Sequence, residues 1–351
     1  MVIKTIFLNN INTNNFDFLR VVFALTVAIV HFIFLSEIDS LQACRAYFNS
    51  RLAIDGFFII SGFLIAKSFH KSNSSKNYIV KRIKRIFPAY FILIFICAVF
   101  LSFLSSYSAE NYFLNIQFWK YLLANFSFQN YIEPCLPGVF TGNKVCAVNG
   151  ALWTIKLEEA FYLLLPVFYW LVNSKKINIY FLSILMYLSS IIYYNYFLEN
   201  DMYRIAKQLP GAMAFFVSGI LLFNNFSYFY KKKKLFILPC IIVFLLEHYV
   251  FQIQVLKPIA FSGIVFYIAY SFKFLNNFGK YGDFTYGIYI YHYPIIQILV
   301  FTGFYKTQNI AITALITFIL ILLLAVFSWH YIELPFLSKN RKLRQQNLSS
   351  N

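Results

Sequence analysis

Arg20 and His31 are two ionisable residues inside one continuous apolar run, residues 16–36, that is long enough to cross a bilayer. Placing an arginine in hydrocarbon costs about 2.5–3.5 kcal/mol, so intramembrane ionisable residues usually mark functional sites. Eleven helical steps of about 100° bring both residues to one helix face, about 16 Å apart along the axis. The spacing favours a cation near the inner end of the helix and a base near its outer end. The alternative is that Arg20 reaches the lipid headgroups and His31 hydrogen-bonds to another helix.

A carboxylate, Asp55, lies near the outer end of the second apolar run, at a depth similar to that of His31. A carboxylate in that position can orient an imidazole that acts as a base and stabilise its charged form. The small residues Gly56, Ser61 and Gly62 allow another helix or a ligand to approach closely. In the alternative interpretation, Asp55 is only a residue of the outer rim.

A basic segment, residues 81–85, precedes the third apolar run and contains Lys81, Arg82, Lys84 and Arg85. Arg82 and Arg85 are three residues apart, so their guanidinium groups point the same way on a helix. The guanidinium fork matches phosphate oxygens better than an ammonium group does. The segment predicts either a phosphate-binding site or only the basic cytoplasmic loop that membrane topology requires.

Two adjacent carboxylates, Glu158 and Glu159, lie at the start of the fourth apolar run. Glu158 and Tyr162 are four residues apart and share a helix face, whereas Glu159 points elsewhere. Glu158 either binds hydroxyl groups as part of a polar site or is a surface charge at the outer interface.

The ninth and tenth apolar runs carry His292 and Glu333. His292 follows Tyr289 by three residues, and Glu333 precedes Pro335 at the end of the tenth run. His292 is interpretable either as a residue that hydrogen-bonds two helices together or as a site residue.

Cys135 and Cys146 bracket a segment of the longest predicted outside loop, residues 107–150. A disulfide between them would suit an oxidising compartment such as a bacterial periplasm. A disulfide and two free thiols remain equal alternatives at this stage.

The elements that must position these residues are helices. The chain of 351 residues is 60% hydrophobic and only 12% charged, whereas a soluble domain is about 25% charged. The expected fold class is all-α, a polytopic transmembrane bundle of about ten spanning helices. The predicted spans are residues 16–36, 52–69, 87–106, 151–172, 179–197, 209–225, 235–251, 258–272, 284–304 and 310–332.

Most lysines and arginines fall in the loops that are cytoplasmic when the N-terminus is cytoplasmic. The positive-inside rule therefore predicts that both termini lie in the cytoplasm. The net charge of +17 follows from topology and anionic headgroups and requires no nucleic acid. We expect a single membrane domain over residues 1–351, with an N-terminal cytoplasmic lead, 1–15, and a basic cytoplasmic tail, 337–351.

Taken together, these segments resemble the acyltransferase 3 family of integral membrane O-acyltransferases. The resemblance consists of six features in order between residues 16 and 336: the Arg20–His31 spacing, DGFFIISGFL, RIKRIFP, LWTIKLEEAFY, YIYHYP and ELP. One departure is Lys81, where the family often has arginine. The chain resembles the standalone form of the family, without the extracytoplasmic esterase-like domain of longer relatives.

For the donor, the resemblance implies an acyl-CoA, usually acetyl-CoA, that enters from the cytoplasm. His31 would be the catalytic residue, acting as a base or as the acyl carrier. Arg20 would line the donor path, and Arg82 and Arg85 would hold the CoA phosphates. No permanently bound cofactor and no metal ion is expected.

For the acceptor, the resemblance implies a hydroxyl of a cell-envelope sugar on the periplasmic side. Asp55 and Glu158 would lie near the reacting centre and count as catalytic. The substrate-binding residues would be Trp153, Tyr162 and His292.

The function expected is therefore a bacterial inner-membrane O-acetyltransferase that modifies a polysaccharide such as O-antigen lipopolysaccharide, capsule or exopolysaccharide. Its partners would be acyl-CoA, a glycan or lipid-linked sugar, and the bilayer. Two alternatives remain open: a transporter or flippase for a lipid-linked or anionic precursor, and a non-catalytic scaffold of an envelope-assembly complex. Dependence on acetyl-CoA distinguishes the enzyme from both.

Overall fold

The computed structural model describes residues 13–307 and 309–337, which form helices and contain no β-strand. The longer helices are α1 Phe16–Ser36, α2 Ser50–His70, α3 Ser75–Phe100, α4 Ala109–Leu114, α5 Ile116–Phe126, α6 Trp153–Ser174, α7 Ile179–Glu199, α8 Leu209–Asn224, α9 Phe226–Leu245, α10 Lys257–Ser271, α11 Thr285–Phe301 and α12 Ile310–Phe327. Shorter helical turns are Asp39–Gln42, Ala43–Tyr47, Leu101–Leu104, Tyr203–Ala206, Lys273–Leu275, Phe304–Thr307 and Leu334–Phe336. Two π-helical turns follow α9 and α12, at Leu246–Val250 and Ser328–Glu333.

The expected all-α membrane bundle is confirmed. In the described part of the chain, six helices are long and apolar enough to cross a membrane: Phe16–Ser36, Ser50–His70, Ser75–Leu104, Ile179–Glu199, Tyr203–Asn224 and Ile310–Phe336. Each of the ten predicted spans overlaps one of the helices. The count of ten crossings and the cytoplasmic location of the termini, which lie outside the described residues, stay predictions.

Two helices begin earlier than the hydropathy pattern predicts. Helix α3 begins at Ser75 rather than near residue 87, and it continues through Pro88. Helix α9 begins at Phe226 rather than near residue 235, and it includes the four consecutive lysines. Lysine and arginine are good helix formers, so an apolar helix extends into an adjoining basic segment although that segment is too polar to lie in hydrocarbon.

The described chain forms two compact units, each made from three stretches of sequence. Among the described residues, the first unit comprises 13–20, 51–79 and 157–279. The second comprises 21–50, 80–156 and the described part of 280–337. The prediction of one membrane domain over residues 1–351 stays a prediction.

In the first unit, α2 and α8 touch along their backbones. A Cβ added to Gly62 would lie 2.0 Å from the carbonyl oxygen of Phe216, and one added to Gly219 would lie 2.1 Å from that of Ile59. Small residues permit this approach, which replaces side-chain packing by direct backbone contact. Beside it, the Phe161 and Phe216 rings stack with their centroids 4.1 Å apart. The glycine of the SGFL segment, Gly62, is therefore used for helix packing.

In the second unit, the loop between α5 and α6 is fastened to α11. Cys135 and Cys146 form a disulfide in this loop. The buried Gln297 side chain on α11 donates hydrogen bonds to the carbonyl oxygens of Val145 and Ala147, at 2.8 and 2.7 Å. Asn143 donates in return to the Gln297 side-chain oxygen at 2.9 Å. The loop is thus held over the helix that carries His292.

Candidate active site

Two imidazoles meet in the second unit. His31 on α1 and His292 on α11 stack with their ring centroids 5.0 Å apart and an interplanar angle of 9°. The His31 Nδ1 lies 2.8 Å from the His292 Nε2. His292 is fully buried, whereas His31 is half-buried. The structure therefore brings together two of the predicted site residues, which lie 261 positions apart in the sequence.

The hydrogen-bond partners fix the tautomers of this pair when both rings are neutral. The His292 Nδ1 lies 3.2 Å from the carbonyl oxygen of Ile288, which only accepts, so this nitrogen carries the proton. The His292 Nε2 is then the acceptor, and the His31 Nδ1 donates to it. The lone pair of neutral His31 is left on Nε2, where it can accept a proton. His292 thus orients His31 in the way that a triad's third member orients its base.

Tyrosines and the LWT segment surround the imidazole pair. The Tyr293 ring meets the His31 ring edge-on at 5.1 Å. The Tyr289 ring lies 5.9 Å from that of His292, and its hydroxyl is 2.6 Å from the Thr154 hydroxyl. A Cβ on Gly150 would lie 2.8 Å from the Tyr293 ring, so this position requires a residue without a side chain. Residues 149–154 therefore shape the surroundings of His31 and His292.

Arg85 has both terminal nitrogens engaged by carboxylates. Its Nη1 donates to Glu333 Oε2 at 2.7 Å and its Nη2 to Asp283 Oδ2 at 2.8 Å. All three residues are buried. The guanidinium also lies 5.5 Å from the Trp329 ring centroid and 5.7 Å from that of Tyr286. A buried arginine between two acids joins α3 to the segment before α11 and to the π-helical turn after α12.

The other predicted donor-binding arginines lie in more accessible positions. Arg82 is half-buried one turn before Arg85. Arg20 is half-buried near the start of α1, with its Nη1 3.7 Å from Asp17 Oδ1. Arg82 and Arg85 therefore lie on one helix but differ in burial. The assignment of Arg82 and Arg85 to the CoA phosphates, and of Arg20 to the donor path, stays a prediction.

The remaining predicted site residues have local partners. Asp55 is fully buried, and its Oδ1 lies 3.0 Å from the Nε of Arg51, one helical turn before it. Tyr162 donates a hydrogen bond to Glu158, as their spacing of four predicts. Trp153, at the start of α6, is half-buried. A catalytic or substrate-binding role for these residues stays a prediction.

Sequence reasoning missed three of these partners. Asp283 and Glu333 hold Arg85, and Arg51 holds Asp55. The Arg51–Asp55 contact has the i, i+4 spacing that favours an ion pair on a helix, so that pair was accessible from the sequence. Asp283 and Glu333 lie 198 and 248 positions from Arg85, and no local spacing links them.

A helical bundle with a hydrogen-bonded imidazole pair and a buried arginine–carboxylate cluster defines a multi-pass membrane protein with ionisable groups inside its helical units. The family model described as an acyltransferase domain, acyltransferase 3, matches residues 13–331. The chain belongs to this acyltransferase family.

Two relatives match over nearly the whole chain. The O-acetyl transferase of Shigella phage Sf6 is 26% identical over 345 residues, which cover 93% of this chain and 97% of the relative. Nodulation protein 10 of Rhizobium leguminosarum bv. viciae is 25% identical over 359 residues, which cover 96% of each protein. No solved structure matches the chain significantly.

Proposed function

We propose that this acyltransferase is an O-acetyltransferase of the bacterial inner membrane. In this proposal it moves an acetyl group from cytoplasmic acetyl-CoA to a hydroxyl of a cell-envelope polysaccharide on the periplasmic side. The observation that carries the proposal is the hydrogen bond from His31 Nδ1 to His292 Nε2, which leaves His31 Nε2 as a proton acceptor. The phage relative, named an O-acetyl transferase, supports the acetyl group and the oxygen acceptor.

His31 acts as a general base in the proposed reaction. Its Nε2 takes the proton of the acceptor hydroxyl while the hydroxyl oxygen attacks the thioester carbonyl carbon. The new C–O bond forms and the C–S bond breaks, so that the CoA sulfur leaves as a thiolate. The imidazolium then returns the proton to the sulfur, and His31 is neutral again. His292 keeps the His31 ring in the productive orientation throughout.

The donor side of the proposal depends on arginines. Arg82, which is half-buried, receives the CoA phosphates, and Arg20 lines the donor path. Arg85, held by Asp283 and Glu333, supports this site by fixing α3 in place.

On the acceptor side, Asp55 and Glu158 act near the reacting centre, and Trp153 and Tyr162 bind the acceptor sugar. Tyr162 already donates to Glu158, so one oxygen of this carboxylate is engaged and further acceptor capacity remains.

The test is acetyl transfer by the purified protein in lipid nanodiscs, with radiolabelled acetyl-CoA and the glycan of the host as acceptor. We expect label in the glycan with the wild type and none with His31→Gln, which keeps size and hydrogen bonding but accepts no proton. Acetyl-CoA binding should be retained in this variant. An active His31→Gln protein would remove His31 from catalysis. Glycan that crosses the membrane without acetyl-CoA would point to a transporter instead.

The acceptor class is tested in cells. The mass of the surface glycan should rise by one acetyl group per modified repeat when the gene is present. An unchanged glycan mass, with acetyl-CoA still consumed by the pure protein, would contradict the polysaccharide acceptor and leave acetyl transfer intact.

A further inference from the structure

Tyr293 places a hydroxyl group beside the imidazole pair that the proposed reaction has not yet used. Its ring meets the His31 ring edge-on, with the two centroids 5.1 Å apart. The residue is only 4% exposed, so its phenol is largely shielded from water. Tyr293 follows His292 on α11, and all three residues belong to the second unit. This unit therefore holds a hydrogen-bond donor next to the proposed base.

The Tyr293 hydroxyl differs from the other tyrosine hydroxyls of α11. Three of the four tyrosines on this helix are hydrogen-bonded through their hydroxyls: Tyr286 to Ile86, Tyr289 to Thr154 and Tyr291 to Ser328. In the part of the chain that the structure describes, the Tyr293 hydroxyl has no hydrogen-bond partner. A buried donor without an acceptor is unfavourable, and a functional reason is one explanation for keeping it.

The backbone of Gly150 lies against this hydroxyl. A Cβ on Gly150 would be 2.8 Å from both the Cζ and the hydroxyl oxygen of Tyr293. Gly150 comes three residues before Trp153, which is the first residue of the 22-residue helix α6. The N-terminus of a helix carries a partial positive charge. The phenol and the beginning of α6 therefore both favour negative charge at this place.

Two hydrogen bonds hold the residues around Gly150 against α11. Before the glycine, the Asn149 side chain donates to the carbonyl oxygen of Ile290 at 2.8 Å. After it, the Thr154 hydroxyl lies 2.6 Å from the Tyr289 hydroxyl. Because these bonds lie on both sides of Gly150, they fix its distance from Tyr293. The hydroxyl is thus preorganised, the property that makes oxyanion stabilisation effective.

The proposed reaction generates a negative charge that the imidazole pair does not stabilise directly. As the acceptor oxygen attacks, the π electrons of the thioester carbonyl move to its oxygen, which becomes an oxyanion. His31 Nδ1 already donates to His292, and His31 Nε2 holds the proton that the sulfur will receive. Another donor is therefore needed, and stabilising the oxyanion is usually the largest single contribution to acyl-transfer catalysis.

We propose that Tyr293 is a catalytic residue that donates a hydrogen bond from its hydroxyl to this oxyanion. The inference rests on the proposed function, because it assigns the oxyanion of that reaction its donor. Tyr293 keeps its proton throughout. The electron pair on the oxyanion re-forms the carbonyl, the C–S bond breaks, and the CoA thiolate takes the proton from His31. Gly150 is a positioning residue, since a side chain there would displace the phenol.

The test compares acetyl transfer and acetyl-CoA hydrolysis by the full-length protein in nanodiscs. Hydrolysis uses water in place of the acceptor hydroxyl, so it also forms an oxyanion and does not depend on the identity of the glycan. Tyr293→Phe removes only the hydroxyl. Tyr291→Phe is the matched control, because it removes a hydroxyl from the same helix that donates to Ser328 instead. The measurements are kcat, the KM for acetyl-CoA and the melting temperature.

We expect Tyr293→Phe to lower kcat about 100-fold in both reactions, the range for losing one oxyanion donor. The KM for acetyl-CoA should be unchanged, because this hydrogen bond strengthens only in the transition state. The melting temperature should not fall, since the hydroxyl has no partner to lose. Tyr291→Phe should show the converse, with a lower melting temperature and an unchanged kcat.

Gly150→Ala tests the positioning of the phenol. The added methyl group displaces the Tyr293 hydroxyl, so kcat should fall in this variant too. Combining Gly150→Ala with Tyr293→Phe should give the kcat of Tyr293→Phe alone, because both changes remove the same hydrogen bond. Losses that add in the double variant would overturn the positioning role of Gly150.

Wild-type kcat in Tyr293→Phe would overturn the inference, and so would an effect confined to the KM. Hydrolysis that depends on Tyr293, without transfer to the glycan, would support the inference while contradicting the polysaccharide acceptor. If the wild type neither transfers acetyl groups nor hydrolyses acetyl-CoA, the proposed function is wrong, and this inference falls with it.

Discussion

His31 hydrogen-bonds to a second imidazole, that of His292, and the expected role of Asp55 in orienting His31 stays a prediction. His292 accepts a hydrogen bond from His31 Nδ1 and donates one to the carbonyl of Ile288. A carboxylate would also stabilise the imidazolium strongly, whereas a second imidazole mainly fixes the ring's position. The partner was not predictable from spacing, because helical periodicity assigns residues to faces but does not say which faces of distant helices meet.

Substitutions at His292 test this orienting role. Glutamine can accept from His31 and donate to the Ile288 carbonyl, so His292→Gln should retain most acetyl transfer. His292→Leu should lower kcat about 100-fold, within the range that a well-oriented general base contributes. The measurements are kcat and the KM for acetyl-CoA, and the KM should change little in either variant.

If His292→Leu were more active than His292→Gln, the hydrogen bond between His31 and His292 would not contribute to acetyl transfer. His248→Leu is the control, because His248 lies in the π-helical turn after α9, in the first unit, whereas His31 and His292 belong to the second.

Arg82 and Arg85 should differ on substitution, although they are one helical turn apart. Arg85→Ala leaves Asp283 and Glu333 as uncompensated buried carboxylates, a change that costs about 3–5 kcal/mol. This variant should therefore melt at a lower temperature. Arg82→Ala should bind CoA about tenfold more weakly, since one charge-assisted contact is lost.

Thermal unfolding and CoA titration distinguish the two variants. Lys84→Ala, a change at an exposed position between the two arginines, is the control for both measurements. If Arg82→Ala bound CoA as tightly as the wild type, residues 81–85 would be only the basic cytoplasmic loop that membrane topology requires.

At the scale of elements, the backbone contact between α2 and α8 makes a sharp prediction for stability. Gly62→Ala places a methyl group 2.0 Å from the Phe216 carbonyl oxygen, so the helices must separate. Overpacking of this kind costs about 1–3 kcal/mol. The variant should melt at a lower temperature and accumulate to a lower level in the membrane.

Gly142→Ala is the matched control, because no atom lies within 4 Å of the added Cβ. A Gly62→Ala protein as stable as Gly142→Ala would mean that α2 and α8 are not in contact along their backbones.

The helices themselves were largely predictable. Apolar runs gave the ends of α1, α2, α7 and α8 to within two residues. The early starts of α3 and α9 were missed because hydropathy reports the part of a helix that lies in hydrocarbon, while lysine-rich segments continue the same helix beyond it. The π-helical turns were also missed, since their buried glutamates are held by partners that a local pattern does not reveal.

At the scale of the whole molecule, the Cys135–Cys146 disulfide reports the compartment in which the loop folds. In protein prepared from membranes, both cysteines should resist alkylation by a thiol reagent until a reductant is added. Mass spectrometry of the peptides, with and without reductant, measures this. Cys44, a free cysteine in the predicted first outside loop, provides the internal control and should be alkylated without reductant.

Labelling of Cys135 and Cys146 before reduction would contradict the disulfide. A disulfide indicates an oxidising compartment and so supports the predicted outward position of this loop. Free thiols would remove that support.

The hydrogen-bond chain through His292 has a consequence for the energy balance of the membrane. It ends at the carbonyl oxygen of Ile288, which has no proton to pass on. In the proposed reaction, a proton that His31 takes from an acceptor hydroxyl therefore has no exit through His292 and leaves with the CoA thiol. A proton therefore moves in this reaction only with turnover, and the imidazole pair provides no proton path when acetyl-CoA is absent. Proteoliposomes that contain it should hold a pH gradient for as long as protein-free liposomes do.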